Sequence, residues 1–477
     1  MHTLSSLLGV SSDWMLRNDG TYLLLYRISA LEAKTWVLEP IQALVVCLID
    51  GATSYGELIR EVSHVIGTSR DRGKSLLDGV ISTLNSSEEI IADVTTTRCR
   101  SFDTEEFFIP LSQYRIPQTA RLRLPTKVGL FVTAKCCADC VYCYADRRMA
   151  KSEDVLPLSR WREIIDECLG LRIRNLDLLG GDALSSAVGR GVLKHLLHRG
   201  IQVFLSTKCE ITSEIAHELV DTGFLATECS EGNTLQISID NVDPAMADYL
   251  TGTAGFLDRC SRSVSSCLSA GIHPRVKSVL TSLNYDSIPS VVDYFRQQGV
   301  RDFQFVQYGI SHFRYRDDLF LSRKHKARIH DEASLVRDAH PDLLITVQEE
   351  TGPPTSVEEK EMAWRNRPRC TGGFTSVVIA PNGAMLPCEQ LPQEEPFIVS
   401  NLREGSIVEA WQDERFNSFL FPDQSLFSGT PCAQCADFED CRTSAGFCYR
   451  DAFLAYETVH EAPPSCPHQT RIGRRLL

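Results

Sequence analysis

From residue 127 onward, short apolar runs alternate with amphipathic stretches and few interruptions. KVGLFVT (127–133), NLDLL (175–179), IQVFLS (201–206), LQISID (235–240), RVKSVLT (275–281) and DFQFVQY (302–308) read as strands. Between them SRWREIIDECLGL (159–171), GVLKHLLHR (191–199), EIAHELVDTG (214–223), FLDRCSRSVSSCLSAG (256–271) and SIPSVVDYFRQQG (287–299) read as helices. Strand–helix units in unbroken succession predict an α/β fold with a parallel sheet, and favour a partial (β/α)6 TIM-like barrel over a two-layer wind. In such folds the chemistry gathers at the C-terminal ends of the strands.

The first hundred residues follow a different pattern. TYLLLYRI (21–28) and KTWVLE (34–39) predict two short strands, and IQALVVCLIDG (41–51), SYGELIREVSHVI (54–66) and SRDRGKSLLDGVISTLNS (69–86) show helical spacing. Ser54 and Ser69 stand where N-caps belong. Strands followed by a helical triplet predict a compact winged-helix-like module over 1–100. An irregular linker with two prolines (101–121) leads to the barrel (122–345). A charged, proline-containing stretch, EETGPPTSVEEKEMAWRNRPR (349–369), then separates the barrel from a cysteine-rich tail within 346–477.

At 477 residues the chain is long enough for more than one domain, and 43% hydrophobic with 23% charged residues is an ordinary globular balance. A formal net charge of -13 argues against nucleic acid or an anionic membrane surface as partner. The N-terminal MHTLSSLLGVSSDW carries no basic region of a secretory signal, and the apolar run from Ala43 to Ile49 is too short to span a bilayer. A soluble, cytoplasmic protein is expected. The eighteen cysteines then point to metal or catalytic use rather than disulfides. They are uneven: Cys136, Cys140 and Cys143 sit together, and Cys370, Cys388, Cys432, Cys435, Cys441, Cys448 and Cys466 follow residue 369. The others, Cys47, Cys99, Cys137, Cys168, Cys209, Cys229, Cys260 and Cys267, are mostly scattered singly and read as small hydrophobes.

Cys136-x3-Cys140-x2-Cys143 comes directly after the first barrel strand. Three thiolates from one loop can hold three irons of a 4Fe–4S cluster and leave the fourth iron without a protein ligand. A tetrahedral zinc site needs a fourth ligand, Cys137 or a distant His, and spacing alone leaves that alternative open. After the second strand, LLGGDAL (178–184) offers close backbone approach at Gly180 and Gly181 and a carboxylate at Asp182. In the fourth strand, QISID places Ser238 and Asp240 on one face at period two, toward the same mouth.

Together these residues resemble the radical S-adenosylmethionine (SAM) superfamily. The resemblance implies that Cys136, Cys140 and Cys143 bind a 4Fe–4S cluster whose open iron chelates the amino and carboxylate groups of SAM, and that one-electron reduction cleaves SAM to a 5'-deoxyadenosyl radical. It implies that Tyr142, before the third cysteine, lies against the adenine. Gly180, Gly181 and Asp182 match that family's Gly-Gly-Glu, with Asp one methylene shorter. Ser206 and Ser238 match positions that contact ribose or carboxylate; Asp240 and Lys277 complete the cofactor candidates.

In the tail, a Pro-Asn-Gly turn lies between Cys370 and Cys388, and Cys432-x2-Cys435-x5-Cys441-x6-Cys448-x17-Cys466 follows. Seven cysteines exceed one four-ligand site, so two metal sites are the economical reading, with zinc ribbons as the alternative. The tail resembles a SPASM domain. That resemblance implies two auxiliary 4Fe–4S clusters, three in all: Cys370, Cys388 and Cys448 at the first, and Cys432, Cys435, Cys441 and Cys466 at the second. Several relatives supply a further cysteine upstream; here 349–369 has none, which leaves an open iron or a carboxylate such as Glu361. Glu389, after the second tail cysteine, matches an acidic residue that serves as general base in sulfatase-maturing relatives.

The N-terminal module is similar to the PqqD-like peptide recognition element, on its strand pair and QALVVCLIDGATSYGELI. Such elements bind leader peptides as an added strand. The combination implies an enzyme that modifies a ribosomally made precursor peptide, closing a thioether or carbon–carbon cross-link, with a flavodoxin or ferredoxin as electron donor. The alternatives are an anaerobic sulfatase-maturating type enzyme that makes formylglycine, and a zinc-stabilised interaction protein without catalysis.

Overall fold

The computed structural model describes residues 3–29, 34–145, 151, 154–224, 232–309, 313–348, 356–445 and 448–474. Cys229 and part of the 349–369 stretch lie outside the described residues. The chain divides into two compact units, Met1–Thr126 with Leu169–Asn175, and Lys127–Cys168 with Leu176–Leu477.

Among the described residues the first unit contains two three-stranded antiparallel sheets and three α-helices. Strands β1 (Leu8–Ser11), β5 (Ile91–Asp93) and β6 (Cys99–Arg100) pair in the order β5-β1-β6, and β2 (Trp14–Asn18), β3 (Leu23–Arg27) and β4 (Thr35–Val37) in the order β2-β3-β4. The predicted strand pair is β3 and β4. Strands β1 and β2 are short and buried on both faces for almost their whole length, so no alternation marks them in the sequence. Helices α1 (Pro40–Leu48), α2 (Tyr55–Ile66) and α3 (Arg70–Leu84) match the expected triplet. Ser54 caps α2 by accepting from the Glu57 N–H while Glu57 accepts from the Ser54 N–H, and Ser69 accepts from the Arg72 N–H at the start of α3. Arg17 and Asp19 form a buried ion pair at 2.6 Å, and Arg17 also donates to the carbonyls of Leu124 and Pro125, so its charge is fully engaged.

From Lys127 the predicted alternation is present, with one added helix, α7, that the sequence pattern did not mark: β7 (Lys127–Phe131), α4 (Leu158–Gly170), β8 (Asn175–Leu179), α5 (Ala187–His198), β9 (Phe204–Thr207), α6 (Ser213–Asp221), β10 (Thr234–Ser238), α7 (Pro244–Thr251), α8 (Phe256–Ser269), β11 (Arg275–Leu280), α9 (Ile288–Arg296) and β12 (Asp302–Gln307). The chain then adds α10 (Arg323–Ala339) and β13 (Leu344–Val347). Helix α10 buries only Ile329, Glu332, Ala333 and Val336, a stripe too thin to stand out in RKHKARIHDEASLVRDA.

Strands β9 to β13 form one parallel sheet in sequential order, so the crossovers step steadily in one direction without the reversal of a doubly wound sheet. Strands β7 and β8 belong to a second five-stranded sheet, β16-β15-β14-β7-β8. There β14 (Ser376–Ile379) runs parallel to β7, with Ser376 opposite Lys127 and Ile379 opposite Leu130; β15 (Ala384–Leu386) and β16 (Ser400–Asn401) continue antiparallel. The first strand of the cysteine-rich tail is thus bonded to the strand that leads into the Cys136 loop. Short helices complete the tail: α11 (Val357–Arg365), α12 (Ile407–Trp411), α13 (Glu414–Leu420), α14 (Phe438–Asp440) and α15 (Tyr449–Tyr456). Among the described residues no helix is long and apolar enough to cross a membrane.

Candidate iron–sulfur and cofactor site

The loop after β7 is clamped from both sides. Asp139 N–H donates to the Thr251 carbonyl at 2.8 Å and Val141 N–H to the Leu250 carbonyl at 3.0 Å, which fixes the loop to the end of α7. Arg314 donates to the carbonyl of Cys140 at 2.7 Å. Cys140 and Tyr142 are buried in an apolar cluster with Leu250, Tyr308, Leu319, Phe320 and Leu454, while Cys136 and Cys143 are half-buried against it. Burial, acting ahead of the nearby charges, pushes the Cys140 thiol up to about 11. A loop whose three cysteines pack in or against an apolar cluster suits a centre that needs deprotonated sulfur and little water.

Gly180 and Gly181 lie against the backbone that feeds this loop. Gly181 N–H donates to the Thr133 carbonyl at 2.7 Å and Asp182 N–H to the Lys135 carbonyl at 2.8 Å. A Cβ on Gly181 would stand 2.2 Å from the Lys135 carbonyl oxygen, so only glycine allows this approach. The Asp182 carboxylate, 3% exposed, accepts from the N–H groups of Leu184 (3.1 Å), Lys208 (2.8 Å) and Cys209 (3.2 Å) and from the Thr207 hydroxyl (2.9 Å). With the Cys137 thiol, which donates weakly to Asp182 Oδ2 at 3.9 Å, these donors fill the carboxylate's acceptor capacity, and they tie the end of β8 to the end of β9. Its oxygen also lies with the Cys136 and Cys137 sulfurs, the three ligand atoms within 4.8 Å of one another. Cys137, expected to be a bystander, shares hydrogen-bonding contact with the thiols of Cys136 and Cys209.

The other candidates line neighbouring strands. Ser206 on β9 is exposed, and its hydroxyl accepts from Gln236 Nε2 at 2.8 Å. Ser238 ends β10 and stands in register with Lys277 on β11. Burial, with Lys208 nearby, lowers the pKa of Lys277. β10 stops at Ser238, and Asp240, two residues further on, is buried, 1% exposed. Its carboxylate accepts from Lys208 Nζ at 3.1 Å, from the Val279 N–H at 2.8 Å and from the Tyr142 hydroxyl. Lys208 Nζ also lies over the Tyr142 ring, 5.6 Å from its centroid. Burial alone would lower the pKa of this ammonium, but Asp240 and Cys140 override it and hold the charge.

The tail thiols fall into two groups. The β14–β15 hairpin turns at Gly383, with φ +89°, and Cys370 and Cys388, which flank it, interact electrostatically. Cys448, at the N-terminus of α15, accepts from the Asp451 N–H at 3.4 Å and interacts electrostatically with Cys370. Arg450 and Asp451 pair beside this group. In the second group Cys432 interacts electrostatically with Cys435, Cys441 and Cys466, and Gln424 Nε2 pins the Cys432 and Cys435 carbonyls at 2.9 and 3.2 Å. Glu361 is on exposed α11, 3.8 Å from Arg365 in an ion pair. Glu389 is placed near Asp177, Lys127 and Arg450; burial and Asp177 raise its pKa, while the two cations oppose the rise.

Residues 370–441 match the SPASM family, an iron-sulfur cluster-binding domain. Over 365 residues the chain is 21% identical to the PqqA peptide cyclase of Streptomyces rochei, covering 74% of this chain and 93% of that one. It is 22% identical over 365 residues to the PqqA peptide cyclase of Methylocella silvestris, covering 72% and 90%. The structure of Streptococcus suis SuiB bound to S-adenosylmethionine superposes with a TM-score of 0.64 at 15% identity, over 97% of this chain and 100% of that one. SuiB bound to its precursor peptide SuiA gives the same TM-score at 15% identity, over 96% and 99%. The likeness to SuiB establishes a shared fold.

The structure also brings in residues that sequence reasoning passed over. Thr207 and Lys208 follow one another at the end of β9, where strand-end logic alone pointed, but no motif flagged them. Gln236 Oε1 is buried without a hydrogen-bond partner among the described residues. Arg442 is buried beside Cys441, a charged residue whose place in the core no periodicity announces.

Proposed function

We propose that this chain is a radical SAM enzyme that cross-links a ribosomally made precursor peptide. The observation that carries the reading is the placement of Cys136, Cys140 and Cys143 on one clamped loop beside Gly180 and Gly181, in a chain whose seven tail cysteines gather as three and four. The donor sets fit the groups: three thiols at the barrel mouth, four at the C-terminal tail site and three at the other, where water or substrate completes the ligand set. Strands β7 to β13 are read as a partial barrel with these residues at its C-terminal mouth.

When bound, the cluster and SAM supply a one-electron route to hydrogen abstraction from carbon. The protein's own residues hold and orient. The two glycines admit SAM's amino acid part to the backbone, with Asp182 fixing the segment that receives it. Ser206, Ser238, Lys277 and the Gln236 Oε1 acceptor supply polar contacts, and Tyr142 and Asp240 support the adenine side of the loop. Glu389 takes a proton from the peptide. The N-terminal unit acts as a PqqD-like element, its β2-β3-β4 sheet receiving the leader as an added edge strand. A flavodoxin or ferredoxin delivers the electron.

The test is anaerobic reconstitution with iron and sulfide analysis, followed by assay of 5'-deoxyadenosine. About 12 iron atoms per chain are expected from three clusters, and Cys140→Ala is expected to abolish SAM cleavage. An iron-free, zinc-loaded chain, or undiminished 5'-deoxyadenosine from Cys140→Ala, overturns the reading.

A further inference from the structure

Arg442 follows Cys441 directly and is 3% exposed. Its guanidinium carbon lies 4.5 Å from the Phe427 ring centroid, 4.9 Å from that of Phe438 and 5.6 Å from that of Tyr449. The groups that favour its charge are Tyr449, Cys441 and Cys432. A second cation approaches the same sulfur: Arg367 Nη2 donates to Cys441 Sγ at 3.6 Å, and its guanidinium stacks on Trp364 at 3.7 Å. A guanidinium in an aromatic cage is costly to desolvate, and the anion best placed to offset that cost is a cluster bound by the adjacent thiolates.

The other tail site is built with opposite bias. Its arginine, Arg450, is bonded to Asp451 through Nε at 2.9 Å and Nη2 at 2.7 Å, and Glu389 acts on Cys388. At the Arg442 site Asp437 lies within 4.8 Å of Cys435 Sγ together with His468, and both are exposed, so water screens them. One site therefore has a cation matched by carboxylates, and the other has two cations at its sulfurs. Reduction adds one negative charge to an iron–sulfur centre, and net charge and hydrogen bonds to sulfur set its potential.

We propose that Arg442 and Arg367 raise the reduction potential of the centre held by Cys432, Cys435, Cys441 and Cys466 above that of the Cys370, Cys388 and Cys448 centre. These arginines are positioning residues, and they make the C-terminal centre the resting place for an electron released from the peptide. The inference rests on the iron–sulfur reading above.

The test uses the full chain with Cys136, Cys140 and Cys143 replaced by Ala, reconstituted anaerobically and titrated potentiometrically with electron paramagnetic resonance detection. Two midpoints are expected, and Arg442→Gln lowers the higher one while Arg442→Lys largely preserves it. A tenfold change in the reduced-to-oxidised ratio at fixed potential corresponds to ~59 mV for a one-electron couple, and a downward shift of at least that size is expected. Where Arg442→Gln fails to retain iron, the half-buried Arg367→Met carries the decision with a smaller shift of the same sign. Iron retained with unmoved midpoints in the variant that decides the test overturns the inference. A parent chain that takes up no iron overturns the underlying reading instead.

Discussion

Lys208 Nζ lies 3.1 Å from Asp240 Oδ2, and both side chains are almost wholly withdrawn from water. The same carboxylate oxygen accepts the Tyr142 hydroxyl, so one anion joins the end of β9, the end of β10 and the cysteine loop. Removing it strands a buried ammonium. Asp240→Ala is expected to destabilise the chain by about 3–5 kcal/mol, read as a lower denaturant midpoint. The paired change Lys208→Met with Asp240→Leu is expected to recover much of that loss. A single substitution costing under ~1 kcal/mol would mean that the pair behaves as a surface contact.

Asp182 replaces the longer acid of the motif it resembles, and the structure gives a reason for the short side chain. Its oxygens are already matched to the N–H groups of Leu184, Lys208 and Cys209 and the hydroxyl of Thr207 in a site closed to solvent. One more methylene pushes the carboxylate into β9. Asp182→Glu is expected to cost ~1–3 kcal/mol by overpacking and to weaken SAM binding in equilibrium dialysis. Tighter SAM binding by Asp182→Glu would show that the site has room and lacks reach.

Gly181 tests the link between β8 and the thiol loop. An added methyl group would meet the carbonyl oxygen of Lys135, one residue before Cys136, and backbone does not yield cheaply there. Gly181→Ala is expected to lose the iron of the barrel site alone, so that iron falls from about 12 to about 8 atoms per chain. Full iron content in this variant would show that the loop holds its cluster without the glycine contact.

Apart from the eight-residue α7, the strands and helices between 127 and 308 were legible because each carries its own periodicity. The features that stayed hidden did so for physical reasons. Strands β1 and β2 are buried on both faces, and α10 spends its length on charged positions with four buried residues, so neither shows a contrast to read. The pairing of β14 with β7 is a long-range choice that no local pattern encodes. At the site, the cysteines and glycines announced themselves by spacing, whereas Lys208, Gln236 and Arg442 take their roles from neighbours distant in sequence or, for Arg442, from a core no spacing reveals. Asp240 lies two residues past the end of β10, and its contacts with Tyr142, Lys208 and Val279 are all distant in sequence.

The base role proposed for Glu389 predicts that the radical step and the proton transfer completing the cross-link can be separated. It adjoins Cys388, and Asp177 faces it from β8 with Lys127 from β7, the latter pair joined at 2.5 Å. Burial and the Asp177 charge both raise its pKa, the setting in which a carboxylate becomes a better proton acceptor. Under the proposed role, Glu389 would act on the peptide after hydrogen abstraction and take no part in cleaving SAM. Glu389→Gln is therefore expected to keep its iron and its 5'-deoxyadenosine production while cross-linked peptide, monitored by mass spectrometry, falls by ~10²–10⁴-fold. Equal losses of 5'-deoxyadenosine and product would place Glu389 in cofactor binding, and unchanged product would reduce it to a structural carboxylate.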